Sequence, residues 1–283
     1  TSKGRNTINF LEMQKDEKVA AIISVDDFES EKSLVLCTKR GVVKKSKISV
    51  YKNHRKGGII GINVDEDDEV LEALQIEQDD HLMVLTARGK GLRFDSNQLR
   101  DQGRTTRGVR GIKLKQNDHV VNLLKVEDEK LLLITGQNGL GIRTKFCSFL
   151  PRGGEIIENE EISPRKRGGQ GVIAMNTDAV CGAISVDPQS EILMITKSGQ
   201  TVRCAVRNIR ETSRGSKGVK LVNLSSKDVL VGVSEVVEID EDLVGSEQTH
   251  SSSVEDNDKT MQSSEIVLDL SLIHISEPTR RAI

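Results

Sequence analysis

Five short apolar runs recur along the chain: VAAIISV (19–25), VLEALQI (70–76), VVNLLKV (120–126), VCGAISV (180–186) and VLVGVSEV (229–236). Their starts lie 51, 50, 60 and 49 residues apart. Each of the first four is followed by an apolar segment ending in Thr, a turn containing Gly, and a segment bearing a basic residue. These read LVLCTKRGVVKKS (34–46), LMVLTARGKGLRF (82–94), LLLITGQNGLGIRT (131–144) and ILMITKSGQTVRCA (192–205). The runs are dense in Val, Ile and Leu and lack the three-to-four-residue apolar spacing of a helix face, so the pattern predicts strands. Gly41, Gly89, Gly139 and Gly199 stand three or four residues after Thr38, Thr86, Thr135 and Thr196, where a chain reversing between twisted strands needs positive φ. Each pair is therefore predicted to be a hairpin.

Every unit then closes with a basic, glycine-rich box and a further β run: HRKGGIIGINV (54–64), RTTRGVRGIKL (104–114), RKRGGQGVIAM (165–175) and SRGSKGVKLVNL (213–224). A fifth such box, TSKGRNTINF (1–10), has no unit before it. Four short strands per unit match the blade of a propeller, where repetition in a ring leaves few edges exposed. The expected fold is all-β, with blades at 15–68, 69–118, 119–178 and 179–228. Residues 1–14 would end a preceding blade and 229–238 would begin a closing one. The ten extra residues of the third unit fall within PRGGEIIENEEISP (151–164) and predict a longer rim loop or small hairpin.

Composition sharpens this picture. Aromatic residues are 2% of the chain, with no Trp and one Tyr, so the core must be thin layers of Val, Ile and Leu. Against 4 Pro there are 24 Gly, so the turns rely on backbone freedom. The net charge of −2 hides an asymmetry: 11 of the 43 acidic but only 3 of the 41 basic residues lie in 237–283, leaving 1–236 at +6. A basic body with an acidic tail is the layout of a polyanion binder that carries its own competitor. Residues 239–268 are expected to be a disordered acidic tail. LSLIHISEPTR (270–280) resembles translated sequencing-adapter read-through, so 269–283 is expected to be an artefact. Thr1 falls inside a repeat motif without an initiator Met, and a truncated front end is expected.

The repeat resembles the C-terminal domain of DNA gyrase A proteins, the β-pinwheel, a six-bladed ring related to propellers. TTRGVRGIKL (105–114), LLLITGQNGLGIRT (131–144), RGGQG (167–171) and ILMITKSGQTVR (192–203) carry the resemblance, which covers residues 1–238. It implies four complete blades here, with partial first and last units. The family's box has Gln, two basic residues, two glycines, a basic residue and Gly; the nearest copy, Arg165 to Gly171, has Arg165 for Gln and Gln170 for the basic residue. It reads as a degenerate copy of the kind found on later blades. The resemblance implies that the domain wraps duplex DNA on its outer rim and presents a positive crossover to an enzyme core. ATP-driven strand passage there yields negative supercoils. It also implies partnership with the gyrase A N-terminal domain and with gyrase B in an A2B2 heterotetramer, in the cytoplasm at the nucleoid. ATP and Mg2+ belong to that holoenzyme, and no cofactor is expected in this chain. The C-terminal domain of the topoisomerase IV A protein is an open alternative, since such domains carry fewer blades and lack a good box. A propeller scaffold that binds proteins is another; it predicts apolar or acidic rim patches.

Elementary electrostatics agrees with the resemblance. A wrapped duplex is held without sequence choice, which calls for many Lys and Arg contacts to phosphates along a curved track. The candidate DNA-binding residues are Lys3 and Arg5; His54, Arg55 and Lys56; Arg104, Arg107 and Arg110; Arg165, Lys166 and Arg167; and Arg214 and Lys217. Box glycines Gly168, Gly169 and Gly171 would let the backbone approach phosphates and donate N–H groups. A second basic position follows each hairpin turn, at Lys44, Lys45, Arg93, Arg143 and Arg203.

Catalytic readings find no support in the residues. Tyr51, the one Tyr, lies in a repeat connection without a catalytic Arg or acidic cluster and reads as structural. Asp65–Asp68, Asp118, Asp178 and Asp228 recur at one turn position, which turn chemistry explains. His81, His119, His250 and His274 are scattered, and the four cysteines (Cys37, Cys147, Cys181, Cys204) form no CxxC pair. A reduced cytosolic protein with small buried thiols fits best. No membrane span is visible.

Overall fold

The computed structural model describes residues 19–53, 58–151 and 163–236. Fifteen strands account for their regular structure, joined by turns and short 3-10 segments. In chain order they are β1 (Ser33–Thr38), β2 (Val42–Lys47), β3 (Val70–Ile76), β4 (His81–Thr86), β5 (Lys90–Asp95), β6 (Val109–Arg110), β7 (Val120–Lys125), β8 (Leu131–Gly136), β9 (Leu140–Lys145), β10 (Val172–Ile173), β11 (Val180–Val186), β12 (Glu191–Thr196), β13 (Thr201–Ala205), β14 (Val219–Lys220) and β15 (Leu230–Val236). The candidate boxes at Lys3 and Arg5 and at His54, Arg55 and Lys56 lie outside the described residues, as do most of the third unit's insertion and the acidic tail.

All four hairpins form: β1–β2, β4–β5, β8–β9 and β12–β13, each antiparallel. Their turn glycines adopt positive φ, at 81° (Gly41), 70° (Gly89), 76° (Gly139) and 87° (Gly199). The recurring Thr and Asp close these turns. The Thr38, Thr86 and Thr196 hydroxyls accept the N–H groups of Val42, Lys90 and Gln200 at 3.1, 3.2 and 3.2 Å. The carboxylates of Asp68, Asp118 and Asp228 reach back 28 to 30 residues to accept the N–H groups of Arg40, Arg88 and Ser198 at 2.8, 3.0 and 3.1 Å. Each of these connections between units is thus pinned to the hairpin before it.

The sheets are offset from the sequence units. Each hairpin is flanked by two strands of the following unit, giving the orders β3-β1-β2-β6, β10-β5-β4-β7 and β11-β8-β9-β14. The apolar run of unit two pairs with β1 of unit one, while the short strand inside the box of unit two pairs with β2. The next unit therefore embraces both edges of the hairpin. The fourth sheet, β13-β12-β15, has three strands among the described residues.

Strands β3, β7, β11 and β15, one edge of each sheet, lie beside one another in succession. The box strands β6, β10 and β14 form the opposite edge. Core clusters fill the spaces between consecutive sheets: Val35 and Val43 of the first sheet meet Leu82, Val84 and Phe94 of the second. Met83 and Leu85 on the second sheet's other face meet Leu132, Ile134 and Phe146 of the third. Leu133 meets Ile192, Met194 and Val206 of the fourth. With layers on both faces, neither face of β1 or β8 is solvated. This is why these strands read as continuous apolar runs and are buried along their whole length. Tyr51 is buried with Leu34 and Leu36 on the outer face of the first sheet. Cys37 is buried and its thiol is pushed well above the ordinary range, chiefly by desolvation.

The last box glycine carries a steric constraint. Gly108, Gly171 and Gly218 have φ of 80°, 66° and 85°, and a Cβ on Gly171 would stand 2.5 Å from the Gly91 carbonyl oxygen. Gly199 also has positive φ, but nothing lies within 4 Å of its Cβ position. Replacing Gly199 with Ala is expected to cost about 1 kcal/mol, the backbone penalty alone. Gly171→Ala is expected to cost about 2 kcal/mol or more, because β10 must also withdraw from β5. Urea midpoints for the two variants check this; equal losses would show that the packing contact is unimportant.

Candidate nucleic-acid interface

The three described boxes can be aligned on the strand that follows the glycine: Val109–Arg110, Val172–Ile173 and Val219–Lys220. In each strand the Val turns inward against a core cluster and the next residue is exposed. Three columns of the box follow. Arg104, Arg167 and Arg214 are half-buried; Arg107, Gln170 and Lys217 are exposed; Arg110, Ile173 and Lys220 are exposed. All lie on the sheet edge opposite the β3, β7, β11 and β15 row, so the box residues share one rim.

Backbone hydrogen bonds join these boxes into a belt. Asn63, Lys113 and Asn176 donate their N–H groups to the carbonyls of Thr106, Gly169 and Ser216 in the next box, at 3.0, 2.8 and 2.8 Å. The N–H groups of Gly168 and Gly215 return to Gly111 and Ala174 of the preceding box at 2.7 and 2.6 Å. The Gly168 N–H is therefore committed within the protein and does not serve as a free phosphate donor. The box glycines act first in turning and packing.

The half-buried arginines stitch neighbouring sheets together. Arg167 Nε donates to the Gln98 carbonyl at 3.4 Å and its Nη1 to the Arg110 carbonyl. Arg214 repeats this one sheet on, with Nε to Ser148 O at 2.8 Å and Nη1 to Ile173 O at 3.2 Å. Arg165 Nε bonds Phe149 O at 3.2 Å. Carbonyl partners leave the positive charge of these guanidiniums unneutralised, so they still contribute to the rim's potential. Arg107 differs: it pairs with Asp65 at 2.8 Å, both groups being exposed. Such a pair is worth about 0–1 kcal/mol and yields readily to a phosphate. Among the described residues Arg110, Lys166, Lys217 and Lys220 make no salt bridge with another described residue. Lys220, outside the predicted set, is an exposed rim cation in the same column as Arg110.

The second basic row is corrected by the structure. Lys44 and Arg93 are 0% and 3% exposed. Arg93 forms a two-pronged pair with Asp128, both contacts 2.6 Å, and also meets His81, whose own pKa is lowered by burial and then by the Arg93 charge. Lys45 reaches Ser96 O at 3.4 Å and Asp101 at 3.7 Å. Arg143 donates to Val206 O at 2.9 Å. Arg203 pairs with Glu191. Lys44, Lys45, Arg93 and Arg143 fasten a hairpin to its surroundings instead of forming a second track, while Arg203 stays exposed and pairs across its own hairpin. Lys44 occupies the position held by Leu92, Ile142 and Val202 in the other hairpins, and its ammonium donates to the carbonyls of Gly61 and, at 2.7 Å, Arg104.

The family described as "DNA gyrase C-terminal domain, beta-propeller" matches residues 32–77, 80–127, 130–179 and 190–236. The DNA gyrase A protein of Clostridium acetobutylicum is 39% identical over 87% of this chain, and that of Mycolicibacterium smegmatis 32% identical over 85%. The chain spans 29% and 28% of those relatives' lengths. Among solved structures, a DNA gyrase A C-terminal domain superposes with a TM-score of 0.70 at 26% identity, over 83% of this chain and 76% of that one. The C-terminal domain of a DNA topoisomerase IV gives 0.72 at 23% identity, over 82% and 70%, a likeness of fold. Among the described residues no helix is long and apolar enough to cross a membrane.

Burial and then the nearby Arg104 charge lower the Lys44 pKa from 10.5 to about 8. Between those values the unfolded chain holds the proton that the native one has released, so this lysine's contribution to stability rises with pH. The buried thiols, with raised pKa, act in the opposite sense. The stability difference between the parent and Lys44→Met is therefore expected to shift in the parent's favour from pH 8 to 10.5. Denaturant midpoints at several pH values check it, and a constant difference would contradict the burial argument.

Proposed function

Because the chain belongs to the DNA gyrase C-terminal domain, beta-propeller family, we propose that it binds duplex DNA without sequence choice along its outer rim and bends it around the scaffold. One observation carries this reading: Arg104, Arg107 and Arg110 on the first sheet recur as Arg214, Lys217 and Lys220 on the third, in boxes joined to one another by backbone hydrogen bonds. A rigid belt sets cationic groups at fixed intervals along a curve. Phosphates then meet charges already positioned, and binding need not order long flexible side chains on mobile loops.

In this reading the domain serves a gyrase. It holds a wrapped segment so that a positive crossover reaches the gyrase A N-terminal domain and gyrase B, in an A2B2 assembly working on the bacterial nucleoid in the cytoplasm. ATP and Mg2+ act in that assembly. Gyrase A sequences matching at 32–39% identity over most of this chain support gyrase over topoisomerase IV.

Reversing Arg110, Lys166, Lys217 and Lys220 to Glu is expected to lower duplex affinity about 100-fold or more at ~0.1 M salt and to flatten its salt dependence, with the folding midpoint unchanged. Fluorescence anisotropy with duplexes of unrelated sequence checks this; unaltered affinity would remove the rim from the mechanism. Arg167→Glu should instead lower the midpoint, since it breaks contacts to Gln98 and Arg110. The acidic tail, outside the described residues, is proposed to compete for the same rim. Deleting 239–283 should tighten binding in the same assay, and no change would make it an inert appendage.

A further inference from the structure

The rim columns are not uniform. Reading the first, fourth and seventh positions of each aligned segment, the first sheet presents Arg104, Arg107 and Arg110 and the third presents Arg214, Lys217 and Lys220. The second sheet, between them, presents Arg167, Gln170 and Ile173. The box before the first sheet runs His54, Gly57 and Ile60 in sequence. Charge at the seventh position thus alternates from box to box: Ile60, Arg110, Ile173, Lys220. The two isoleucines are exposed, 58% for Ile60 and 49% for Ile173. Ile173 sits on the edge strand of a complete four-stranded sheet. On that sheet the basic residues are gathered at the start of the box, as Arg165, Lys166 and Arg167.

A duplex laid on a curved surface turns its phosphate ridge and its groove toward that surface in alternation. Cations suit the ridge. An exposed, branched apolar side chain gains nothing from phosphate, but it can bury itself against sugars and base edges in a groove, and apolar wedges of this kind help bend DNA. We propose that Ile173 is a groove-facing contact: the duplex backbone rests on the first and third sheets, and at the second sheet the groove faces inward over Ile173. Arg165, Lys166 and Arg167 lie to one side of it, on the groove's phosphate wall. Arg214 holds the Ile173 carbonyl and so fixes the strand that presents the side chain. This inference rests on the DNA-wrapping reading and adds which face of the duplex meets which sheet.

The test uses the full chain with a duplex labelled at both ends, reading affinity by anisotropy and bending by energy transfer. Ile173→Ala is expected to weaken binding about fivefold, in proportion to the apolar surface left unburied, and to lower energy transfer in the saturated complex while the salt dependence stays as in the parent. Ile173→Leu should retain the bending. Arg110→Ala, the contrasting variant, should reduce the salt dependence by about one phosphate contact. If Ile173→Ala bends and binds as the parent does, the groove contact is wrong while DNA wrapping stands. If Ile173→Lys steepens the salt dependence and tightens binding with bending intact, a phosphate ridge and not a groove faces the second sheet. A parent chain without salt-sensitive duplex affinity overturns the DNA reading and this inference together.

Discussion

The edges of a β-hairpin call for hydrogen-bond partners, and in the first three sheets neither partner strand comes from the hairpin's own unit. The hairpin β1–β2 is completed by β3 on one side and β6 on the other, both drawn from the next unit. The same exchange completes the second and third hairpins. Strand pairing therefore doubles as the joint between units. The units cannot slide or separate without breaking ladders, and the aromatic-poor layers between sheets do not have to hold the assembly by area alone. The carboxylates of Asp68, Asp118 and Asp228 reinforce the same joint from the turn side.

That constraint also decides where charge can be displayed. A strand that caps an outer edge has one inward side chain and one outward, and here the inward one is Val109, Val172 or Val219. The outward position is one place where each described box strand shows a residue to solvent. A residue repeated there draws a line around the molecule. The two-residue length of β6, β10 and β14 suits this role, since a longer exposed edge would itself invite strand addition. Rigidity comes from arginines that spend their Nε–H on carbonyls of Gln98 and Ser148 and keep their charge.

Much of this was legible in the sequence. Hairpins, turn glycines and the recurring turn Asp are local, so composition and spacing reveal them: Gly41 and Asp118 do what their positions imply. Strand exchange was not legible. A repeating sequence is unchanged when its unit boundaries are moved, so periodicity cannot say which hairpin a run such as 70–76 will join. The fate of Lys44 and Arg93 was hidden for a related reason, since a basic residue after a turn looks alike whether its face is solvated or covered. Aligning the hairpins supplies the missing signal for Lys44, whose column otherwise holds Leu92, Ile142 and Val202. For Arg93 the signal is weaker; its partner Asp128 lies 35 residues on, in the turn after β7.

The distinction between the two basic rows follows from sheet position alone. In the first three sheets the post-turn row lies on the second strand of the hairpin, which the following box strand covers and which has cores on its faces. Lys44, Lys45, Arg93 and Arg143 therefore find partners inside the protein, while Arg203 on β13 stays exposed. The box row lies on the covering strand itself, with no further strand outside it. Burying a cation costs several kcal/mol unless carbonyls or carboxylates meet it, and Lys44 and Arg93 each have such partners. At Arg110 and Lys220 no comparable cost has been met inside the protein. Their charge stays available to a polyanion, which is the sense in which the edge-capping strand, forced by hydrogen-bond accounting, becomes the binding surface.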